Sequence, residues 1–225
     1  MTAAASAPAP KASSPSPSTP EPNPEFSRPA TAARIEATVK ALEGRGIHAV
    51  VVADRDAARR AVLDLLPQGA GVLDATSQTM QATGIAEAIR VPGKYRDIRA
   101  ELTELAREKK TLEQRRTGSA PEYIVGSVHA VTEQGQVVIA SATGSQLGPY
   151  AFGAMHVIWV VGAQKIVANL DEAFRRVREY TYPLEDRRAL VAYGMGSTIA
   201  KTLVIEREVQ PGRITMVIVR ENLGF

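Results

Sequence analysis

The sequence predicts a single α/β domain built on a mainly parallel sheet with helices on both faces. Two observations lead there. Apolar runs of strand length, at Ile47–Ala53, Ala70–Leu73 and Val157–Val161, alternate with segments of helical periodicity. Polar knots of Gly, Ser and Thr sit at the ends of these runs, where open α/β sheets gather ligands. No internal repeat suggests another architecture.

The chain opens on an Ala-, Pro- and Ser-rich stretch, Met1–Ser27, with seven prolines from Pro8 to Pro24. Such a composition buries too little apolar surface to offset its ordering entropy, so residues 1–27 read as a disordered tail, partly polyproline II. Its P-x-x-P-like spacings also suit a docking ligand, but a spacer is the commoner meaning. The folded domain is expected over residues 28–225. Thr31–Glu43 suits a helix stopped by Gly44 and Gly46. Asp54 can cap a helix over Arg55–Leu66, whose Ala58, Val62, Leu65 and Leu66 share a face. After Ala70–Leu73 the knot Asp74–Thr79 opens a helix ending near Arg90. Ile98–Arg116 reads as one charged helix, its apolar seam interrupted at Lys109 and packed on its own domain rather than on a second copy. Asn169 with Glu172 makes a capping-box-like helix start, with Leu170, Phe174 and Val177 as the buried stripe. Strands at Thr202–Glu206 and Ile214–Val219 follow, joined through the turn signal Pro211-Gly212.

Composition narrows the function. The hydrophobic fraction of 44% and charged fraction of 23% are those of an ordinary globular domain. A net charge of +3 without a basic run argues against nucleic-acid binding. No apolar stretch reaches the roughly 20 residues of a membrane span. The first residues lack both a signal-peptide core and the arginines of a transit peptide, so a cytoplasmic location is expected. Cysteine is absent, which removes thiolate nucleophiles and Cys-ligated zinc or iron–sulfur clusters from this chain. The three histidines lack metal-ligand spacing, so no metal site is expected.

The stretch Glu122–Leu170 carries the chemistry. Two β runs flank Thr132-Glu133-Gln134-Gly135, which reads as a hairpin with Gly135 at positive φ. Glu133 is the candidate catalytic base or nucleophile, or is merely exposed on the turn. Thr143-Gly144-Ser145-Gln146 offers hydroxyls and backbone N–H groups to an anion, or is a tight turn. His129 lies four residues before Glu133 and can assist as a hydrogen-bonding group. Lys165 follows an apolar strand, where a cation meets a carboxylate or phosphate, or else is a solvated helix-entry lysine. Glu133, Thr143, Ser145 and Lys165 are expected to converge on one pocket for a small anion, with Thr76 and Ser77 on its rim. Gly194-Met195-Gly196-Ser197-Thr198 reads as a flexible connection, with an anion loop as the alternative.

The run GSVHAVTEQGQVVI, then TGSQ, then FGAMHVIWVVGAQKIVANLDEA resembles the lactate-utilisation (LUD) domain, which commonly reads G-x-N-A-I-T-E-x-G-T and then G-T-G-N-R. The likeness spans about residues 30–225. Here Ser145-Gln146 stands where that family often has Asn-Arg, and His129 where it often has Asn. The resemblance implies an isomerase- and CoA-transferase-like sheet, and Thr132–Gly135 is similar to the Ser-Glu-Asn-Gly motif that holds a catalytic Glu in CoA transferases. It also implies an accessory role in oxidising lactate to pyruvate beside iron–sulfur partner subunits, similar to lactate utilisation protein C. The alternative is a stand-alone enzyme or binding protein for a small anionic ligand, such as a sugar phosphate or an acyl-CoA. Any cofactor is unknown at this point.

Overall fold

The computed structural model describes residues 19–225. It contains ten strands: β1 (His48–Val52), β2 (Gly71–Asp74), β3 (Arg96–Asp97), β4 (Tyr123–Gly126), β5 (Ala130–Thr132), β6 (Val137–Ser141), β7 (His156–Gly162), β8 (Ile166–Val167), β9 (Lys201–Ile205) and β10 (Ile214–Val219). Six form a wholly parallel sheet in the order β1-β10-β7-β4-β2-β3. The remaining four form a second sheet in the order β8-β5-β6-β9. In it β6 runs antiparallel to β5 and β9, while β8 is parallel to β5. The hairpin at Gly135 therefore seeds a separate sheet rather than an antiparallel margin of the first.

Side-chain alternation builds the layers. Along β7, Val157, Trp159 and Val161 enter one apolar cluster and Ile158 and Val160 enter another. This is the near-continuous apolar run of a strand buried on both faces. Helices close both sides. α1 (Ala32–Gly44), capped by Thr31, contributes Ile35 and Leu42 to the first cluster. α2 (Arg55–Asp64), capped by Asp54 accepting from the Ala57 N–H at 2.8 Å, contributes Ala58 and Val62 to the second. α3 (Gln78–Ala82) and α4 (Ile85–Ile89) join α2 there through Met80, Ile85 and Ile89. The single helix expected after the knot at Asp74–Thr79 breaks into these two because Gly84 is left-handed at φ 67°.

The charged helix expected over 98–116 also splits, into α5 (Ile98–Arg107) and α6 (Thr111–Ser119). The break falls at Lys109, the one non-Gly residue at positive φ among the described residues, at 58°. α5 packs its Ile98 and Leu102 on the first cluster. α7 (Leu170–Arg176) starts at Asn169, whose side chain accepts from the Glu172 N–H at 3.0 Å, while Glu172 accepts from the Ala168 N–H at 2.9 Å. A π-helical turn, Val177–Thr181, links it to α8 (Tyr182–Tyr193). The buried face of this run is Ala173, Arg176, Val177 and Tyr180, with Leu170 and Phe174 half-buried.

The boundary of the N-terminal tail moves. Residues 1–18 lie outside the described residues. From Thr19 onward the chain packs on the α7–α8 run: Thr19 hydrogen-bonds Asp186, Asn23 donates to Glu179 at 3.0 Å, and Phe26 is 6% exposed. The Asn23-capped turn Pro24–Ser27 is thus part of the domain, because its one aromatic side chain finds an apolar bed beside Ala173 and Val177.

Candidate functional site

A cavity of about 250 Å³ opens where the carboxyl ends of the parallel strands face the second sheet. Its floor is built by chain leaving β2 (Ala75–Gln78), β4 (Ser127–His129) and β7 (Lys165). One wall is the end of β6 and the loop beyond it, with Thr143, Gln146 and Tyr150. The roof is the α7–α8 run, with Val177, Thr181, Tyr182, Glu185 and Arg188, and the segment Ser197–Ile199. A π-helical turn inside a longer helix is often a functional feature, and this one presents Val177 and Thr181 to the cavity.

The sequence-predicted residues divide. Thr76, Ser77, His129, Thr143, Gln146 and Lys165 all line the cavity. Gly144 and Ser145 do not; they shape the adjoining turn, where Gly144 sits at φ 87° and donates its N–H to Ser141 Oγ at 2.8 Å. Glu133 corrects the expectation of a shared pocket. β8 runs parallel to β5, with Ile166 beside Val131 and Val167 beside Thr132. Lys165 therefore stands at the entry of this pair, next to His129. Glu133 stands at its exit, about 13 Å from His129 at strand rise. There it pairs with Arg34 of α1 and donates its own N–H to Val167 O at 2.9 Å. The turn is shaped by packing on α1: a Cβ on Gly135 would lie 2.8 Å from the Ala41 carbonyl carbon. The motif's spacing marks a hairpin tip docked on a helix, and nothing at that tip faces the cavity.

Lys165 is 1% exposed, and its ammonium meets four oxygens: Thr79 Oγ1 and Ser127 Oγ at 3.0 Å, Val128 O at 3.1 Å and Phe225 O at 3.2 Å. The two hydroxyls donate elsewhere, Thr79 to Leu223 O at 3.1 Å and Ser127 to Val160 O at 2.7 Å. Nζ thus faces acceptors only, a set that suits –NH₃⁺. Burial, and then the charge of Arg176, push its pKa well below the usual lysine range. These two tendencies oppose each other, and an added anion would tip the balance toward the charged form.

Arg176 is fully buried too. It donates to Gln164 O at 3.3 Å, to Thr181 Oγ1 at 3.1 Å and to the His129 carbonyl, stacks over Tyr180 at 5.1 Å, and leaves Nη2 without a partner. Desolvation lowers its pKa to about 10. Neither buried cation has an Asp or Glu partner among the described residues. His129 is driven to about 3 by desolvation first and then by Lys165 and Arg176, so its imidazole is neutral. Across the cavity Glu185 and Arg188 neutralise each other in a bidentate pair at 2.7 Å.

Sequence reasoning missed Arg176, Thr181 and Tyr150. The signal for Arg176 was present: a charged residue on the apolar stripe between Ala173 and Val177, where a cation is seldom buried without a purpose. Ser197 and Thr198 of the Gly/Ser cluster reach the cavity, and the Ser197 N–H donates to Asp186 Oδ1 at 2.6 Å.

A family model described as the LUD domain matches residues 35–219. Among solved structures, the crystal structure of a DUF162 family protein from Deinococcus radiodurans is similar, with a TM-score of 0.52 at 13% sequence identity, over 85% of this chain and 99% of that one. The latter is a likeness of fold. No curated protein matches the sequence significantly.

Proposed function

The chain belongs to the LUD-domain family, and from that premise we propose that it is an accessory component of lactate utilisation, holding a small anion for iron–sulfur partner subunits. One observation carries the anion: Lys165, which lines the cavity, and Arg176, which is buried behind its lining residues His129 and Thr181, have no Asp or Glu side chain to neutralise them. Burying uncompensated charge costs several kcal/mol per ion. A ligand carboxylate would recover part of that cost, and Thr76, Ser77 and Thr181 add hydroxyl partners for it.

The size of the cavity selects among anions. At about 250 Å³ it lies just below the usual 300–1,000 Å³ of drug-sized ligand pockets, so it suits a carboxylate of a few carbons better than an acyl-CoA. With no cysteine in this chain, any Cys-ligated redox cluster in this reading would sit on a partner subunit. The chain's own part is then to bind and orient the anion, with the ion pair at Glu185–Arg188 closing the roof.

The experiment is a thermal-shift panel on the full chain with lactate, pyruvate, phosphate, a pentose phosphate and CoA, followed by lactate-oxidation assays with and without iron–sulfur subunits. A ligand that binds the native state raises the melting temperature in proportion to RT ln(1 + [L]/Kd). Stabilisation by the small carboxylates, with turnover only when the partner subunits are present, is the expected result. Robust turnover by the isolated chain, or stabilisation by CoA alone, contradicts the proposal.

A further inference from the structure

Two cationic side chains line the cavity, Lys165 on its floor and Arg188 on its roof. The three N–H groups of the Lys165 ammonium meet four acceptors between 3.0 and 3.2 Å, so none is left for a ligand. Lys165 can therefore give an anion only charge at a distance. Arg188 has donors to spare. Its Nε and Nη2 each donate to one oxygen of Glu185 at 2.7 Å, which uses one edge of the guanidinium fork. A guanidinium carries five N–H groups, so three remain, two of them on Nη1. The Tyr193 ring lies 5.2 Å from the guanidinium. The bonds from Glu185, and then the Tyr193 hydroxyl, raise the Arg188 pKa. Even with one N–H turned to that hydroxyl, two are free. The side chain is 26% exposed and Nη1 is not among the buried unpaired atoms, so a ligand can reach it.

We infer that Arg188 is the cation that touches the bound anion: Glu185 holds the Nε–Nη2 edge of its guanidinium, and the Nη1–Nη2 edge grips the ligand carboxylate. This deepens the small-anion reading above and rests on it. A planar fork can serve two carboxylates at once, one on each edge, with N–H groups between them. A lysine in the same place has no second edge to offer.

Glu185 also explains how a long side chain makes a defined site. Holding an arginine in one rotamer costs entropy, and a bond formed with the ligand has to offset that cost. Here the bidentate pair with Glu185, three residues back on α8, and the Tyr193 ring fix the guanidinium before a ligand arrives. Glu185 offsets the charge of Arg188, so the pair contributes directed N–H groups more than net attraction. Attraction over distance is left to Lys165. Glu185 is therefore a positioning residue and Arg188 a binding residue.

Calorimetric titration of the full chain with pyruvate at pH 7, for wild type, Arg188→Ala and Arg188→Lys, tests this. Arg188→Ala should weaken binding at least about tenfold, the step that a charge-assisted hydrogen bond confers. Arg188→Lys keeps the charge and loses the fork, and it should not restore wild-type affinity. Without ligand, both variants should melt within about 3 °C of wild type, because a partly exposed ion pair contributes little to stability. ¹⁵N-resolved guanidinium spectra of the wild-type chain give a second readout that needs no variant. Saturating pyruvate should shift the Arg188 Nη signals and slow rotation about the Cζ–Nη bonds. Unchanged affinity in Arg188→Ala, full affinity in Arg188→Lys, or Arg188 signals indifferent to bound pyruvate overturns the inference while leaving anion binding intact. Failure of lactate, pyruvate and phosphate alike to bind the wild-type chain overturns both readings together.

Discussion

Gly126, at the carboxyl end of β4, shows how tightly the cavity floor is set. A Cβ there would lie 2.0 Å from Tyr150 Oη and 2.9 Å from Ala75 Cβ. Tyr150 in turn is 1% exposed and meets Trp159 edge-on at 5.4 Å between centroids, so it has nowhere to retreat. Gly126→Ala should cost about 1–3 kcal/mol in urea denaturation, the range for overpacking a filled core. Adding Tyr150→Phe should recover part of that, because the nearest clashing atom is the hydroxyl; a neutral single variant would contradict the packing. His129 supplies a pH test at the same scale. Its pKa falls from 6.5 to about 3 on folding, by desolvation first and then by Lys165 and Arg176. Between those values the unfolded chain binds a proton that the native chain refuses. Stability should therefore fall as pH drops from 6.5 toward 3, by up to about 1.4 kcal/mol per pH unit, and be indifferent to this group above 6.5. Denaturation curves of His129→Asn should lack that part of the acid slope.

At the scale of elements, the caps were legible and the breaks less so. Asp54 and Asn169 each start the helix expected of them, because a short oxygen-bearing side chain before an apolar stripe is a local signal, and Thr31, read as the first helical residue, is the cap of α1. Periodicity marked an interruption of the seam at Lys109 without showing that the helix ends there, and it did not mark the break at Gly84. Lys109 stands at φ 58°, a conformation that disfavours any side chain with a Cβ. Lys109→Gly should raise stability by about 0.5–1 kcal/mol, the left-handed strain relieved less the added freedom of the unfolded chain. A loss of stability would mean that the lysine side chain contributes more than its backbone costs. Thr76, Ser77 and Lys165, picked out as polar residues after strands, line the cavity, since chain direction alone puts strand ends on one edge. The same reasoning failed for Glu133, because the hairpin belongs to the second sheet, where β5 runs antiparallel to β6 and its carboxyl end lies away from the cavity. Which of two sheets a short strand joins is decided by long-range pairing such as β5 with β8, and no residue near Glu133 announces it.

Across the whole molecule, three apolar clusters hold the two sheets and the α7–α8 run together, and Phe26 fastens the N-terminal segment to the third. Truncation before Thr19 should leave the melting temperature within about 2 °C, since an Ala- and Pro-rich stretch offers little to bury. Phe26→Ala should instead cost about 3 kcal/mol, a drop of roughly 6–12 °C for a chain of this size. Equal effects from the two changes would contradict the packing of residues 19–27. The roof of the cavity rests on the same third cluster, through Val177, so anion binding and the docking of the N-terminal segment should stabilise each other. The measurement that bears most directly on the site is a crystal structure of the full chain grown with saturating pyruvate. The account predicts the carboxylate inside the cavity, bordered by Thr76, Ser77 and Thr181 and adjoining Lys165. An empty cavity at saturation, or pyruvate bound at Glu133 and Arg34 instead, would contradict it.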